Sequence, residues 1–298
     1  VIKRGSIVKR YGGKGATAQH LIPRFARADW YVEPFFGAGS VFFALPLAAY
    51  QFYAVNDRDS DVVNFFRILR DKPDVLQALV ELSPHARDEL VAAREPTDDP
   101  VEKARRFWCR SRMGFAGIDL PTSGYGRDTL SGYGKIDQLR EYARALVRVT
   151  EIDNADAIDF LSGYGTQAQC KAHKVFIYAD PPYVLGTRKG VGYAHEMTDE
   201  HHRALAAKLR EIVSYGGRVA VSGYDSDLYN ELYAGWRTVR FDTALLAGKQ
   251  LAGKQRGTRT EVLWLSYDES EEMGAYAPRV RPKSSLEAAL LASARGRR

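Results

Sequence analysis

The chain alternates between two hydrophobic rhythms. Short apolar runs of strand length occur in "DWYVEPF" (Asp29 to Phe35), "QFYAVND" (Gln51 to Asp57), "KVFIYA" (ending at Ala179) and "GRVAVSGY" (ending at Tyr224). Between them, apolar residues recur at helical spacing. In "SDVVNFFRILR", Val62, Val63, Phe66 and Leu69 share one face. The opening therefore reads as a strand, the glycine turn "GAGS", a helical run "VFFALPLAA", a second strand and a helix. That is a βαβ unit on a parallel sheet.

From Lys72 to about Val149 the strands stop. "PDVLQALVEL", "ARDELVAAREP", "PVEKARRFWCRSRM" and "QLREYARALVRV" are helical. Between the last two, "GFAGIDLPTSGYGRDTLSGYGKID" holds too many glycines and turn formers for a regular element. After Glu151 the α/β alternation returns. A short strand leads into "NADAIDFL", and Thr198 caps a helix through "DEHHRALAAKLREIV". "WRTVRFDTAL" and "RTEVLWLSY" read as two late strands joined by a basic glycine loop. The pattern predicts an α/β catalytic domain over 1–70 and 150–270, a helical and loop insertion over 71–149, and a polar, basic extension over 271–298.

Composition narrows the class. A 45% hydrophobic content over 298 residues suits a globular protein. No apolar run reaches the roughly 18 residues of a membrane span, and the basic start "VIKRGSIVKR" has no apolar core after it, so no leader is expected. Two cysteines, Cys109 and Cys170, favour a reducing, cytoplasmic setting. The six histidines form no zinc-type spacing, so no metal is expected. A net charge of +6 permits a polyanionic partner. The basic residues gather in "VIKRGSIVKRYGGKG", "GKQLAGKQRGTR" and the tail.

Four segments carry candidate chemistry. The turn in "EPFFGAGSV" lets backbone approach a ligand closely, although such turns also serve packing alone. About twenty residues on, Asp57 ends a strand, where an acid accepts hydrogen bonds from ribose hydroxyls; a turn aspartate is the other reading, with Asp59 and Asp61 beside it. The third segment, Asp180-Pro181-Pro182-Tyr183, suits a nucleobase amine. Such an amine is a poor nucleophile because its lone pair is delocalised. A carboxylate and a proline-fixed carbonyl, each accepting one N–H, free that lone pair, and a tyrosine stacks on the ring. The alternative is a strand-ending turn. Fourth, "KRYGGKG" offers close backbone approach and one positive charge, or simply a basic arm.

In this order, the residues resemble the Dam-like, D12 class of DNA adenine-N6 methyltransferases. "RYGGKG", "VEPFFGAGSVFF", "AVNDRDSD", "NADAI" and "ADPPY" follow the family's sequence of motifs. "RSRMGFAGI" and "RGTRTEVLWLSY" extend the match over most of Lys9 to Tyr267. The resemblance implies a Rossmann-like fold with a mostly parallel seven-stranded sheet and one antiparallel late strand. It implies S-adenosylmethionine as cofactor, S-adenosylhomocysteine as product and double-stranded DNA as partner.

It also implies roles. The cofactor set is Tyr11, Lys14, Glu33, Pro34, Phe35, Gly37, Ala38, Gly39, Ser40, Asp57, Asp156, Ala157, Ile158 and Asp180. Family members often have tryptophan where Tyr11 stands. Asp180, Pro181, Pro182 and Tyr183 would hold the target adenine. DNA contacts are expected of Lys9, Arg110, Arg112, Arg127, Lys135, Lys249, Lys254 and Arg256. The expected reaction is direct displacement onto N6 of a flipped-out adenine by a monomer, with a cognate restriction endonuclease as a candidate partner. Cytosine-N4, RNA or protein-amide methylation and a catalytically silent nucleic-acid-binding module are the rivals.

Overall fold

The computed structural model describes residues 6–10, 13–15, 17–46, 48–114, 124–126, 135–184, 196–244 and 258–274. A short helix α1 (Ala18–Leu21) precedes strands β1 (Trp30–Glu33) and β2 (Phe52–Asn56). Helices α2 (Ser60–Asp71), α3 (Pro73–Glu81), α4 (Arg87–Ala92), α5 (Pro100–Met113) and α6 (Leu139–Leu146) follow. Then come β3 (Glu151–Asp153), α7 (Ala157–Tyr164), α8 (Gln167–Ala172) and β4 (Val175–Ala179). The chain continues through α9 (Asp199–Ser214), β5 (Arg218–Tyr224), α10 (Asp227–Leu232), β6 (Arg237–Ala244) and β7 (Thr258–Leu265).

The seven strands form one sheet in the order β3-β2-β1-β4-β5-β7-β6. The first five pair in parallel, and β7 runs antiparallel to both its neighbours. This is the expected Rossmann-like sheet with its antiparallel late strand. All five residues of β4 are buried, as a central strand covered on both faces requires. Alternation along the strands splits them between two cores. Tyr31, Phe176, Tyr178 and Ala220 face the first, with α2, α3, α5 and α6. Val32, Ile177, Ala179 and Val221 face the second, with α7, α9 and α10.

The helices of 71–149 are not detached from this body. α5 and α6 pack on α2, α3 packs on α5 and α6, and their apolar faces join the first core. Near the other end, Glu272 forms ion pairs with Arg24 and Arg237, and Met273 N–H donates to the Phe25 carbonyl at 2.7 Å. The stretch 271–274 thus lies against the N-terminal part of the chain; the rest of the expected extension lies outside the described residues.

One expected helix is absent. Through "VFFALPLAA" the structure has a single 3-10 turn, Phe42–Ala44, and Leu45 is extended at φ −62° and ψ 144°. Pro46 is the cause, because its ring hinders the helical conformation in the residue before it. The short helices α8 and α10 carry too few apolar residues to show a helical stripe in sequence. No helix among the described residues is long and apolar enough to cross a membrane.

Candidate active site

Strand order reverses between β1 and β4. In an open α/β sheet the loops leaving the carboxyl ends of such strands diverge and leave a crevice. β1 ends at Glu33 and β4 at Ala179. Two motifs some 150 residues apart in the chain, by the reach of one switch point, therefore meet. A cleft of about 1190 Å³, its open mouth included, lies there.

The glycine turn forms one wall. Gly37 and Gly39 have φ of 53° and 64°, which glycine alone adopts without cost. They differ in purpose. Nothing lies within 4 Å of a Cβ placed on Gly37, whereas one on Gly39 would strike the rings of Phe43 and Phe36. Asp57 clamps the turn from β2. Its carboxylate accepts from Gly37 N–H at 2.6 Å and from Asp59 N–H at 2.9 Å. Burial pushes its pKa up, against the pull of Arg10 and these two amides. Asn56, one residue earlier, donates to the Pro34 and Ala155 carbonyls and accepts from Ala155 N–H. It ties the β1 loop to the loop that presents Asp156. Asp156 caps α7 by accepting from Ile158 N–H at 2.9 Å.

Asp180 sits at the other wall, within a buried polar cluster. Lys14 Nζ lies 3.3 Å from Asp180 Oδ1 and 2.7 Å from Glu261 Oε1. It also donates to the Tyr183 hydroxyl and stands 4.4 Å from that ring's centroid, a cation–π contact. The Tyr224 ring packs at a right-angled tilt on Tyr183, with centroids 4.4 Å apart. Burial alone would lower the Lys14 pKa; Asp180 and Glu261 outweigh it, so the ammonium stays charged. Burial raises Asp180, and Lys14 and Ser222 oppose that rise. Glu33, on the cleft floor, is different. It is 2% exposed, accepts from the Tyr31 hydroxyl at 2.8 Å, and burial drives its pKa well above the carboxylate range. Burial therefore favours its protonated form.

The cleft brings together most of the expected residues. Lys14, Glu33, Pro34, Phe35, Gly37, Ala38, Ser40, Asp57, Asp156, Ala157, Ile158, Asp180 and Pro182 line it. Pro181 and Tyr183 are buried. Gly39 stands apart: the side where a Cβ would sit is filled by the Phe43 and Phe36 rings, so it shapes the turn. Tyr11, Arg127, Lys249, Lys254 and Arg256 lie outside the described residues.

Two arginines expected to contact DNA, Arg110 and Arg112, have partners within the protein. Arg110 pairs with Asp61 at 2.5 Å and donates to the Ala93 carbonyl at 2.8 Å. Arg112 is 5% exposed and donates to the Ile7 carbonyl; burial pushes its pKa down to about 10. Both guanidiniums are turned into the protein, because α5 packs that face on α2 and the N-terminal segment. Lys135 is partly buried and donates to the Ser6 carbonyl at 2.6 Å; burial, Arg112 and Lys9 push its pKa down to about 8. Lys9 is partly exposed.

Several site residues had no assigned role in sequence. Arg10, Asn56, Glu196, Met197 and His201 line the cleft, while Ser222 and Glu261 back Asp180 and Lys14. The signal for the last two was present: a hydroxyl in "VAVSGY" and a carboxylate in "TEVLWL" interrupt otherwise apolar strands. Cys109 is buried, and its thiol is pushed up to about 11 by burial, which does not suit a nucleophile.

The geometry agrees with comparisons to known proteins. The model of the D12 class N6 adenine-specific DNA methyltransferase family matches residues 11–244. The chain is 27% identical over 265 residues to a type II methyltransferase, M1.LlaDCHI, of Lactococcus lactis subsp. cremoris, covering 84% of this chain and 89% of that one. It is 26% identical over 254 residues to a DNA adenine methylase of Vibrio cholerae serotype O1, covering 78% and 86%. A DNA N-6-adenine-methyltransferase of Escherichia phage P1 is 23% identical over 279 residues, covering 87% of this chain and 35% of the phage protein.

Proposed function

The chain belongs to the D12 class of N6 adenine-specific DNA methyltransferases, and from this we propose how its cleft and surface serve that reaction. The cofactor is S-adenosylmethionine, bound along the cleft from Asp156 to Asp180. The charge of the lining suits it. Asp57, Asp59, Asp156, Asp180 and Glu196 face Arg10, Lys14 and Arg58, an acid-rich wall in a chain of net charge +6. Such a wall favours a small cation over a polyanion.

Each end has a fitting partner. Asp57 meets the ribose; its oxygens, each already holding one backbone N–H, keep further lone pairs for hydroxyls. Asp156, with Ala157 and Ile158, meets the cofactor's adenine. The open side of Gly37 and the Phe35 ring leave room for the methionine part.

Held by the Gly37 turn, Asp57 and Asp156, S-adenosylmethionine would supply a sulfonium methyl group for transfer to N6, with S-adenosylhomocysteine as the leaving group. Asp180 accepts one N–H of the target amine and steers the lone pair toward the methyl. The surplus proton leaves to solvent by way of Asp180. Pro181 and Pro182 hold a backbone acceptor still for the other N–H. Tyr183 covers the ring of an adenine swung out of the duplex, at a cost of a few kcal/mol. No protein nucleophile is needed, so catalysis rests on positioning.

The segment 71–149 is the proposed reader of the DNA sequence. Lys9, Arg127, Lys135, Lys249, Lys254 and Arg256 are its proposed phosphate contacts. We place the enzyme in the cytoplasm of a bacterial or phage-infected cell, acting as a monomer, with a restriction endonuclease as candidate partner, in keeping with the type II relative.

The observation that carries this reading is the meeting of Asp180 with the Gly37 and Asp57 wall across one cleft. Asp180→Ala is expected to lower methyl transfer to plasmid DNA from a methylation-free host by about a thousandfold or more, with the fold and saturable S-adenosylmethionine binding retained. Near wild-type activity in that variant sinks the assignment. Absence of saturable cofactor binding in the wild type points instead to a silent nucleic-acid-binding module.

A further inference from the structure

Asp180 does not stand alone at the end of β4. The β4–β5 register sets Tyr178 opposite Ala220 and Ala179 opposite Val221. Continued by one residue, it sets Asp180 opposite Ser222. Ser222 is 1% exposed and donates its hydroxyl proton to Asp180 Oδ1 at 2.7 Å. The Tyr178 hydroxyl lies 3.0 Å from Ser222 Oγ. A serine has one hydroxyl proton. With that proton given to Asp180, the tyrosine must be the donor to Ser222. Tyr178 is fully buried, and burial together with Asp180 drives its pKa well upward, so it keeps its proton. The direction of the chain is therefore fixed: Tyr178 to Ser222 to Asp180.

Lys14 Nζ approaches the same oxygen, Oδ1. Two partners on one carboxylate oxygen set the plane of the group and leave Oδ2 as the oxygen for an incoming donor. We propose that Ser222, braced by Tyr178, is a positioning residue of the methyl-transfer site: it holds the Asp180 carboxylate ionised and turned so that Oδ2 meets the target amine. This rests on the reading of Asp180 as the acceptor of that amine.

The cost of losing such a residue falls on a defined quantity. A hydroxyl donated to a carboxylate favours its charged form. Other groups face Asp180 or its partner Lys14: on Asp180, Lys14 from the N-terminal loop, Glu261 from β7, and Glu33 and Tyr178 from β1 and β4; on Lys14, Tyr224 from β5 and Tyr183 beyond the strand end. None of these changes in Ser222→Ala. The variant should therefore raise the pKa of Asp180, and the acid limb of the kcat–pH profile should move to higher pH by about one unit.

The test compares Ser222→Ala, Ser222→Thr, Tyr178→Phe and Asp180→Ala on plasmid DNA from a methylation-free host. Folding is followed by circular dichroism. For Ser222→Ala, kcat is expected to fall by about tenfold or more, with KM for S-adenosylmethionine and for DNA within about threefold of wild type. Ser222→Thr should restore both the rate and the acid limb. Tyr178→Phe should move the limb in the same direction by a smaller amount. A Ser222→Ala enzyme with wild-type kcat and an unmoved limb overturns the proposal. If Ser222→Ala does not fold, Tyr178→Phe decides, and an unmoved limb there overturns it. Full activity in Asp180→Ala would instead overturn the reading of the site itself.

Discussion

Glu33 shows how far one side chain can depart from its ordinary chemistry. It ends β1, where alternation puts it on the same face as Tyr31, beneath the cleft. Burial raises its pKa well above the ordinary carboxylate range. A carboxyl whose folded pKa lies above its unfolded value stabilises fully below the unfolded pKa, and that contribution is lost as pH rises toward the folded one. Glutamine keeps the acceptor for Tyr31 and cannot ionise. Glu33→Gln should therefore match the wild type in stability near pH 4. It should gain on it at higher pH, by up to about 1.4 kcal/mol per pH unit above about 4.3. Urea denaturation at several pH values checks this, and a gap that does not widen with pH would show Glu33 to be ionised. Nothing in "YVEPF" announces this upward shift, since it depends on the layers that cover the strand.

At the scale of elements, local signals worked where they were self-contained. Helix α5 has its start written in sequence: Asp99 as cap, Pro100 at the first position and Glu102 in the first turn. Asp99 accepts from Val101 N–H at 2.9 Å. Asp99→Ala should cost about 1 kcal/mol, read as a lower urea midpoint with an unchanged slope. A loss within experimental error would mean that packing of α5 on α2 sets the helix start. Arg105 and Arg106 pair with Glu102 on the same helix and push its carboxyl down to about 2. Local spacing makes such pairs legible. It gave no sign that Arg110 and Arg112 turn inward, because a basic helix face looks solvated until the neighbouring helix and the N-terminal segment are seen to cover it. It misled at "VFFALPLAA", where apolar spacing outweighed the warning of Pro46.

At the scale of the whole molecule, the proposed reading gives the acid-rich cleft to the cofactor and the basic residues outside it to DNA. Binding of the cofactor to the folded state alone should stabilise it by mass action. A hundredfold excess of S-adenosylmethionine over Kd should add about 2.7 kcal/mol, seen as a rise in Tm. Asp57→Ala should lose most of that rise, because Asp57 clamps Gly37 and, on the proposed reading, meets the ribose. An undiminished rise in that variant would place the ribose elsewhere.

The sequence by itself determined the α/β class, the order of the motifs and the chemistry of the tetrapeptide at Asp180. Each of these is local: strand-length apolar runs, glycine turns with an acid about twenty residues on, and a carboxylate locked between strand end and proline. It also determined the family, since motif order is a property of the chain. The tertiary structure alone decided which face each residue serves. Ser222, Glu261 and Lys14 meet Asp180 because β5 and β7 pair beside β4 and the N-terminal loop folds over their ends. Those contacts join residues up to 247 positions apart. Burial then shifts ionisation, driving the Glu33 pKa up and that of the inward-turned Arg112 down, and burial is a property of the packed whole.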